Sequence, residues 1–363
     1  MNILFITQDL PESTGGGLVS TTVEDALDQA AHNLGHDLYS YKIHKYNSAF
    51  DKFYWQFRGY TAGLKKTDVL RIMNFIDSKN IELIVYNTSK YGKLIKVLKK
   101  ASPNVKHIVF FHNAEFKFVL DAIRKTKNPL GLITLFSTWL NERVSVQSPN
   151  RIITLNERDS NDLQKLYKRK ADYVCPLSLR DRFEYNKLEK PNYIVGSFIG
   201  SNFYANNHGV KWFAEHVSPY INVKVQVIGK DFENEKEFFD KYPNMQLIGT
   251  VDSIDEYYYN SSFIVAPIFC GSGMKTKTAE AMMFGKSIFG TTESFEGYNV
   301  NYEKIGGICN TAEDFISAIN SISPDSYYNE YSRVTYLKYY SHVNIINLFS
   351  SIIKSFDNTI KHD

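Results

Sequence analysis

Short apolar and β-branched runs alternate along the chain with amphipathic stretches of ten residues or more, the pattern made by parallel strands and the helices that join them. In the first half the pattern predicts strands at 3–7, 37–43, 83–87, 107–112, 151–155 and 173–177. Between the first two it predicts a helix over about 20–34, whose stripe Val23, Ala26, Leu27, Ala30, Ala31 and Leu34 ends at Gly35. A polar, charge-dense stretch at 178–192 then breaks the rhythm and reads as a linker. Strands are expected again at 193–199, 223–228, 246–251, 263–268, 287–290 and 307–309. From about His342 an amphipathic helix follows, with Ile345, Ile346, Phe349, Ile352, Ile353 and Phe356 on its apolar side. The expected class is α/β, with one doubly wound domain over 1–185, a second of like architecture over 193–341, and the helix 342–363.

The 363 residues, 43% of them hydrophobic, suffice for two such cores. The longest apolar stretch, Leu130 to Leu140, is interrupted by Gly131, Thr134, Ser137 and Thr138 and falls short of the roughly 20 residues of a membrane span. The first residues lack the basic region and cleavage site of a signal peptide, and read as a strand. Cys175, Cys270 and Cys309 lie far apart, without metal-ligand spacing, so a reducing cytoplasmic setting is expected. The net charge of +3 hides an asymmetry: residues 1–190 carry 29 Lys and Arg against 20 Asp and Glu, and the rest 13 against 19. A basic first half suits an anionic partner, such as a phosphate-bearing acceptor or peripheral contact with an anionic membrane; a solvated lysine-rich face such as Lys90 to Lys100 produces the same count. No nucleic-acid partner is expected.

The stretch most informative for chemistry is 263–290, FIVAPIFCGSGMKTKTAEAMMFGKSIFG. It holds a buried strand, a glycine turn at Gly271 to Gly273, and a helix carrying Lys277 and Glu280 and closed by Gly285. In parallel α/β sheets ligands sit beyond the carboxyl ends of strands, where glycine lets the backbone come close and the next helix aims free N–H groups at phosphate. Three residues apart, Lys277 and Glu280 share a helical face, so the cation can meet a departing phosphate and the carboxylate can accept from ribose hydroxyls. By spacing alone, a capped surface helix is an equal reading.

Pro267, Gly271, Gly273, Lys277, Glu280, Ala281, Met282 and Gly285 closely resemble the donor-site signature of the retaining glycosyltransferases of family 4, which have the GT-B fold. FIGSNFYANNHGVKWF (198–213), with Ala205 in place of a proline, resembles the opening of that family's second domain, and VIGK (227–230), 247–268 and FEGY (295–298) follow in order. Before residue 194 only MNILFIT with its glycine turn, FFHNAE (110–115) and 151–163 look familiar. The resemblance implies two Rossmann-like domains facing across a cleft, the last helix returning to the first domain. It implies that Glu280 binds ribose, Lys277 the diphosphate, backbone groups at Gly273 and Met274 the phosphates, and the backbone near Val251 the base, with Ser272 at the position that contacts the sugar. In the first domain it implies Gly16 and Gly17 at the diphosphate and His112 beside the transferred sugar. On the residue pattern alone, His112 reads as readily as a satisfied strand-end histidine.

The expected reaction is transfer of a sugar, with retention, from a nucleoside diphosphate sugar, most simply UDP-linked, to a hydroxyl of a glycan or lipid-linked glycan in surface polysaccharide synthesis. Two departures from the family pattern bear on this. Ser272 stands where many members have an acidic residue, and Ser201 and Asn207 replace an Arg and Lys pair, leaving Lys277 and Lys275 to supply positive charge. A non-catalytic partner subunit, a protein O-glycosyltransferase and a nucleotide-sugar epimerase are the alternatives. GKS at 285–287 is no phosphate loop, because the required earlier glycine falls at Glu280. No Asp-x-Asp occurs, so no metal or other cofactor is expected.

Overall fold

In the computed structural model, which describes residues 1–11, 15–126, 131–271 and 273–360, the chain divides into two units. The first comprises Met1–Pro176 with the carboxyl-terminal segment from His342, and the second Leu177–Ser341.

The first unit is built on six parallel strands: β1 (Asn2–Gln8), β2 (Asp37–Ile43), β3 (Ile81–Tyr86), β4 (Lys106–Phe111), β5 (Arg151–Thr154) and β6 (Tyr173–Val174), in spatial order β2-β1-β3-β4-β5-β6. Helices cover both faces of the central strands, which is why β1, β3 and β4 read as near-continuous apolar runs. The helix Gly15–Asn33 begins earlier than its apolar stripe, and Val23, Ala26, Leu27, Ala30 and Ala31 are buried along it. The helix His342–Ile360 packs on that helix within the same unit, burying Ile345, Phe349, Ile352 and Ile353. His36 Nε2 meets Asp357 Oδ2 at 2.9 Å to tie it there.

The second unit repeats the plan with β7 (Val195–Ile199), β8 (Lys224–Ile228), β9 (Met245–Gly249), β10 (Phe263–Ala266), β11 (Ser287–Gly290) and β12 (Gly306–Ile308), ordered β12-β11-β10-β7-β8-β9. Successive strands run outward from β7 to β9 on one side and from β10 to β12 on the other. The sheet therefore has its topological switch between β7 and β10, the position beyond which open α/β sheets bind their ligands.

The stretch 178–192 differs from its expectation as a linker. Its charges are paired within the second unit: Arg333 Nη1 donates to Asp181 Oδ1 at 2.8 Å, and Arg182 Nε to Asp255 Oδ1 at 3.1 Å. Phe183 stacks on Tyr259 and Tyr328, with ring centroids 5.8 and 6.0 Å away. The division thus falls before Leu177, and residues 177–185 go with the second unit rather than the first. Among the described residues no helix is long and apolar enough to cross a membrane.

Candidate active site

The switch point of the second unit is where its chemistry converges. After β10 the chain turns through Gly271 and Gly273, at φ of 148° and 65°, and enters the helix Thr276–Met283. Side chains other than glycine rarely adopt such φ values, so the turn is set by these two residues. Lys277, in the first turn of that helix, reaches back across β7. Its Nζ donates to Asn206 Oδ1 at 2.7 Å and lies 4.1 Å from the centre of the Phe198 ring. A Cβ at Gly200, just after β7, would stand 2.9 Å from that Nζ, so glycine there makes the approach possible.

Lys277 is buried and forms no salt bridge among the described residues; its polar partner is a neutral amide. Burial, with the nearby Lys275 charge, pushes its ammonium down to about 7, against a smaller opposing pull from Glu280. The group is thus a cation held short of counter-charge at the mouth of a glycine turn, the condition under which an arriving dianion gains most. The other expected cation, Lys275, has its Nζ ion-paired with Glu293 Oε1 at 2.7 Å.

Glu280 lies one turn further along the helix, also buried. Its Oε1 accepts from Arg182 Nη2 at 3.1 Å and its Oε2 from Tyr258 OH at 3.2 Å. Burial raises its carboxyl above the usual range, with Arg182 pulling the other way. An ionised carboxylate has about four acceptor positions. Two are taken, and two remain for a diol. Arg182, Tyr258 and Asn206 were not singled out from sequence. Asn206 could have been, since it follows Ala205, which stands in place of the family's proline; Arg182 lay hidden among linker-like charges.

Of the other expected donor residues, Gly273 and Met274 belong to the same turn, and Met274 Sδ accepts from the Leu177 backbone N–H at 3.2 Å. Tyr298, the last residue of FEGY, donates to the Lys275 carbonyl at 2.7 Å and so holds the turn's end. Val251 follows β9, at the edge of the sheet and three strand spacings, or about 14 Å, from β10. Ser272 lies outside the described residues. Lys286 of the GKS triplet is fully buried and donates to the carbonyls of Tyr259 and Tyr327 at 3.1 and 2.8 Å, which makes it a structural lysine. A cavity of about 560 Å³ beside the helix Tyr204–His216 is lined by Asn202, Asn207, Lys211 and Glu235 among others, and by none of the expected donor residues.

In the first unit, Gly16 and Gly17 form the first turn of the helix Gly15–Asn33 rather than a loop. A Cβ at Gly16 would meet nothing nearer than Leu10 at 3.8 Å, so packing within the unit does not require glycine there. His112 follows β4. Its Nε2 lies 2.8 Å from Asn87 Oδ1, and Asn87 Nδ2 donates to Thr7 Oγ1 at 3.1 Å, a relay across the ends of β4, β3 and β1. An amide oxygen can only accept, so Nε2 carries the proton and Nδ1 is left with its lone pair. Burial, aided by Lys90, pushes the imidazole down to about 4, so it is neutral at physiological pH. Glu115, the carboxylate of HNAE, is buried and ion-paired with Lys90 at 3.1 Å.

Comparison with known proteins agrees with this geometry. Residues 194–325 match the family model described as glycosyl transferases group 1. By sequence, no curated protein matches. Among solved structures, the chain resembles sucrose-phosphate synthase from Thermosynechococcus elongatus (TM-score 0.74, 11% identity, 99% of each chain covered). It also resembles a glycosyltransferase from Rickettsia africae (0.64, 16%, covering 97% of this chain and 98% of that one). A third likeness is Anabaena HepE solved with UDP and glucose (0.66, 11%, covering 98% and 100%). At these identities the structures attest the fold, while the family match over the second unit attests the class. Residues 194–325 of the second unit thus match a group 1 glycosyltransferase domain, and the chain has the GT-B fold.

Proposed function

We propose that the chain transfers a sugar from a nucleoside diphosphate sugar, UDP-linked in the first instance, to a hydroxyl of a glycan or lipid-linked glycan acceptor, with retention of anomeric configuration and without a metal. The observation that carries this reading is Lys277: a buried cation without a carboxylate partner, beside a glycine turn at the sheet's switch point. The HepE structures, solved with UDP and with UDP-glucose, favour uridine as the base. Glu280, with two acceptor positions open, takes the ribose, and Gly273, Met274 and the first N–H groups of the Thr276–Met283 helix take the phosphates. The buried pairing of Glu115 supports front-face departure, in which the leaving phosphate itself takes the acceptor proton.

Two measurements test the reading. Nucleoside diphosphates should raise the melting temperature, with ligand at 100 times its Kd adding about 2.7 kcal/mol. Donor turnover should persist in excess EDTA. Stabilisation by none of the diphosphates, or turnover lost in EDTA and restored by Mn²⁺, would overturn it. Release of nucleotide would also separate transfer from epimerisation, which leaves the nucleotide attached.

The ribose assignment has its own test. Glu280→Gln should weaken uridine and UDP alike by about 1.5–3 kcal/mol, the range for hydrogen bonds to charged groups. Arg182 keeps Asp255 as its ionic partner in that variant, so folding should survive. Unchanged uridine affinity by calorimetry would remove Glu280 from the site.

A further inference from the structure

Two helices of the first unit are built inside out. The helix Ala49–Phe57 buries no residue, and Phe50, Phe53 and Phe57, spaced along one face, are 79%, 50% and 81% exposed. Its inward side carries Asp51, ion-paired with Lys65 at 2.9 Å, and Trp55, edge-on to Tyr60 at 5.5 Å. The helix Gly131–Gln147 buries Ser137, Thr138, Asn141, Glu142 and Ser145 along with Val146, and packs Trp139 on the core, while exposing Leu132, Phe136 and Leu140 at 59%, 62% and 41%.

This orientation is locked by hydrogen bonds. Asn141 Oδ1 accepts from the Lys93 N–H at 2.9 Å, and Ser145 Oγ donates to the Ser89 carbonyl at 2.7 Å. Glu142 caps the helix Glu115–Thr126 by accepting from the N–H of Glu115 at 2.6 Å and of Phe116 at 3.1 Å. Rotating the helix to hide its phenylalanine and leucines would leave those buried groups unpaired, at a cost exceeding what the apolar burial returns. The two helices touch, with Asn141 Nδ2 donating to the Gly59 carbonyl at 3.2 Å just past the end of the first. The exposed aromatic and leucine side chains thus sit on neighbouring helices, and large exposed apolar patches are seldom left in water by soluble monomers.

The exposed charge on the two helices themselves is of one sign, while the neighbouring helix Glu115–Thr126 carries Asp121 beside Arg124 at 3.5 Å. Lys52, Arg58 and Arg143 are exposed, whereas the acids of the two helices point inward: Asp51 to Lys65, and Glu142 into the core. We propose that the outward faces of the helices Ala49–Phe57 and Gly131–Gln147 form a docking surface for an anionic lipid bilayer, the aromatic and leucine side chains entering the headgroup boundary and Lys52, Arg58 and Arg143 meeting lipid phosphates. Exposed aromatic and leucine side chains flanked by Lys and Arg are what interfacial helices present to a membrane. A second copy of the chain would set these cations against their own kind, which argues against self-association through the same face. The inference rests on the first unit's surface alone and is independent of the donor reading.

The test is flotation of the full chain with vesicles of phosphatidylcholine, with and without phosphatidylglycerol. Binding should require phosphatidylglycerol and weaken with salt, each cation near the surface contributing about a fivefold gain. The triple variant F50S/F57S/F136S should lose binding at least about tenfold. K52Q/R58Q/R143Q should lose the preference for phosphatidylglycerol. Because the substituted side chains are exposed, both variants should melt as the parent does and respond unchanged to UDP. A parent chain that does not float, a triple serine variant that floats equally well, or light scattering that shows a dimer dispersed by those serines would each overturn the proposal.

Discussion

Replacing Lys277 with methionine should raise the melting temperature by a few degrees and lower turnover by about 10² or more, two effects of opposite benefit from one side chain. The stability gain arises because the unliganded fold holds a buried ammonium against a neutral amide and an aromatic face. An ammonium pushed down to about 7 is disfavoured by burial at neutral pH, and an uncharged side chain of similar length removes that penalty. The loss of turnover arises because the proposed leaving group is a diphosphate, and removing one preorganised donor to developing charge costs about 10²–10³ in kcat. The same lysine makes binding depend on pH. UDP should raise its pKa and so take up a proton, and affinity should fall as pH climbs from about 7 towards 9. Calorimetry at pH 8 in buffers of different ionisation heat should detect that proton, and the methionine variant should not take it up. A variant that melts lower and binds UDP normally would make Lys277 a structural residue.

His112→Ala should lower turnover by about 10², or roughly 2.7 kcal/mol of barrier, with UDP affinity little changed. The proposed role is to orient the donor sugar and support positive charge developing at its anomeric carbon. A neutral imidazole with its Nε2 proton engaged by Asn87 has the Nδ1 lone pair for that purpose. Since His112 titrates far below neutrality, the pH–rate profile between 6 and 8 should show no limb belonging to it. A purely structural histidine would behave differently: its loss would lower the melting temperature while turnover by the folded enzyme stayed near the parent's. NMR of the first-formed product should show the donor's anomeric configuration, and an inverted product or a trapped glycosyl-enzyme would exclude front-face departure.

Sequence and tertiary structure divided the description of this protein along a physical line. Strand and helix patterns are local. A run such as IELIVY or KHIVFF is apolar throughout because it is covered on both faces, and its meaning can be read within a window of a few residues. The donor turn was legible for the same reason: Gly271, Gly273, Lys277 and Glu280 lie within ten residues, and the φ values and helical face follow from residue type and spacing. Pairing of charges is not local. Arg182 meets Asp255 and Glu280 from 73 and 98 residues away, and Asp181 meets Arg333 across 152, so a segment that reads as solvated linker is pinned to the second unit. Nor could periodicity reveal that Asn206 holds Lys277, a contact made only where the first turns of the helices after β7 and β10 meet at the switch of strand order. The helix Gly131–Gln147 is the clearest case: its pattern alone says which residues are apolar, but its inner side was decided by the carbonyls and N–H groups of Ser89, Lys93, Glu115 and Phe116, which reward buried polar side chains and leave the apolar ones outside.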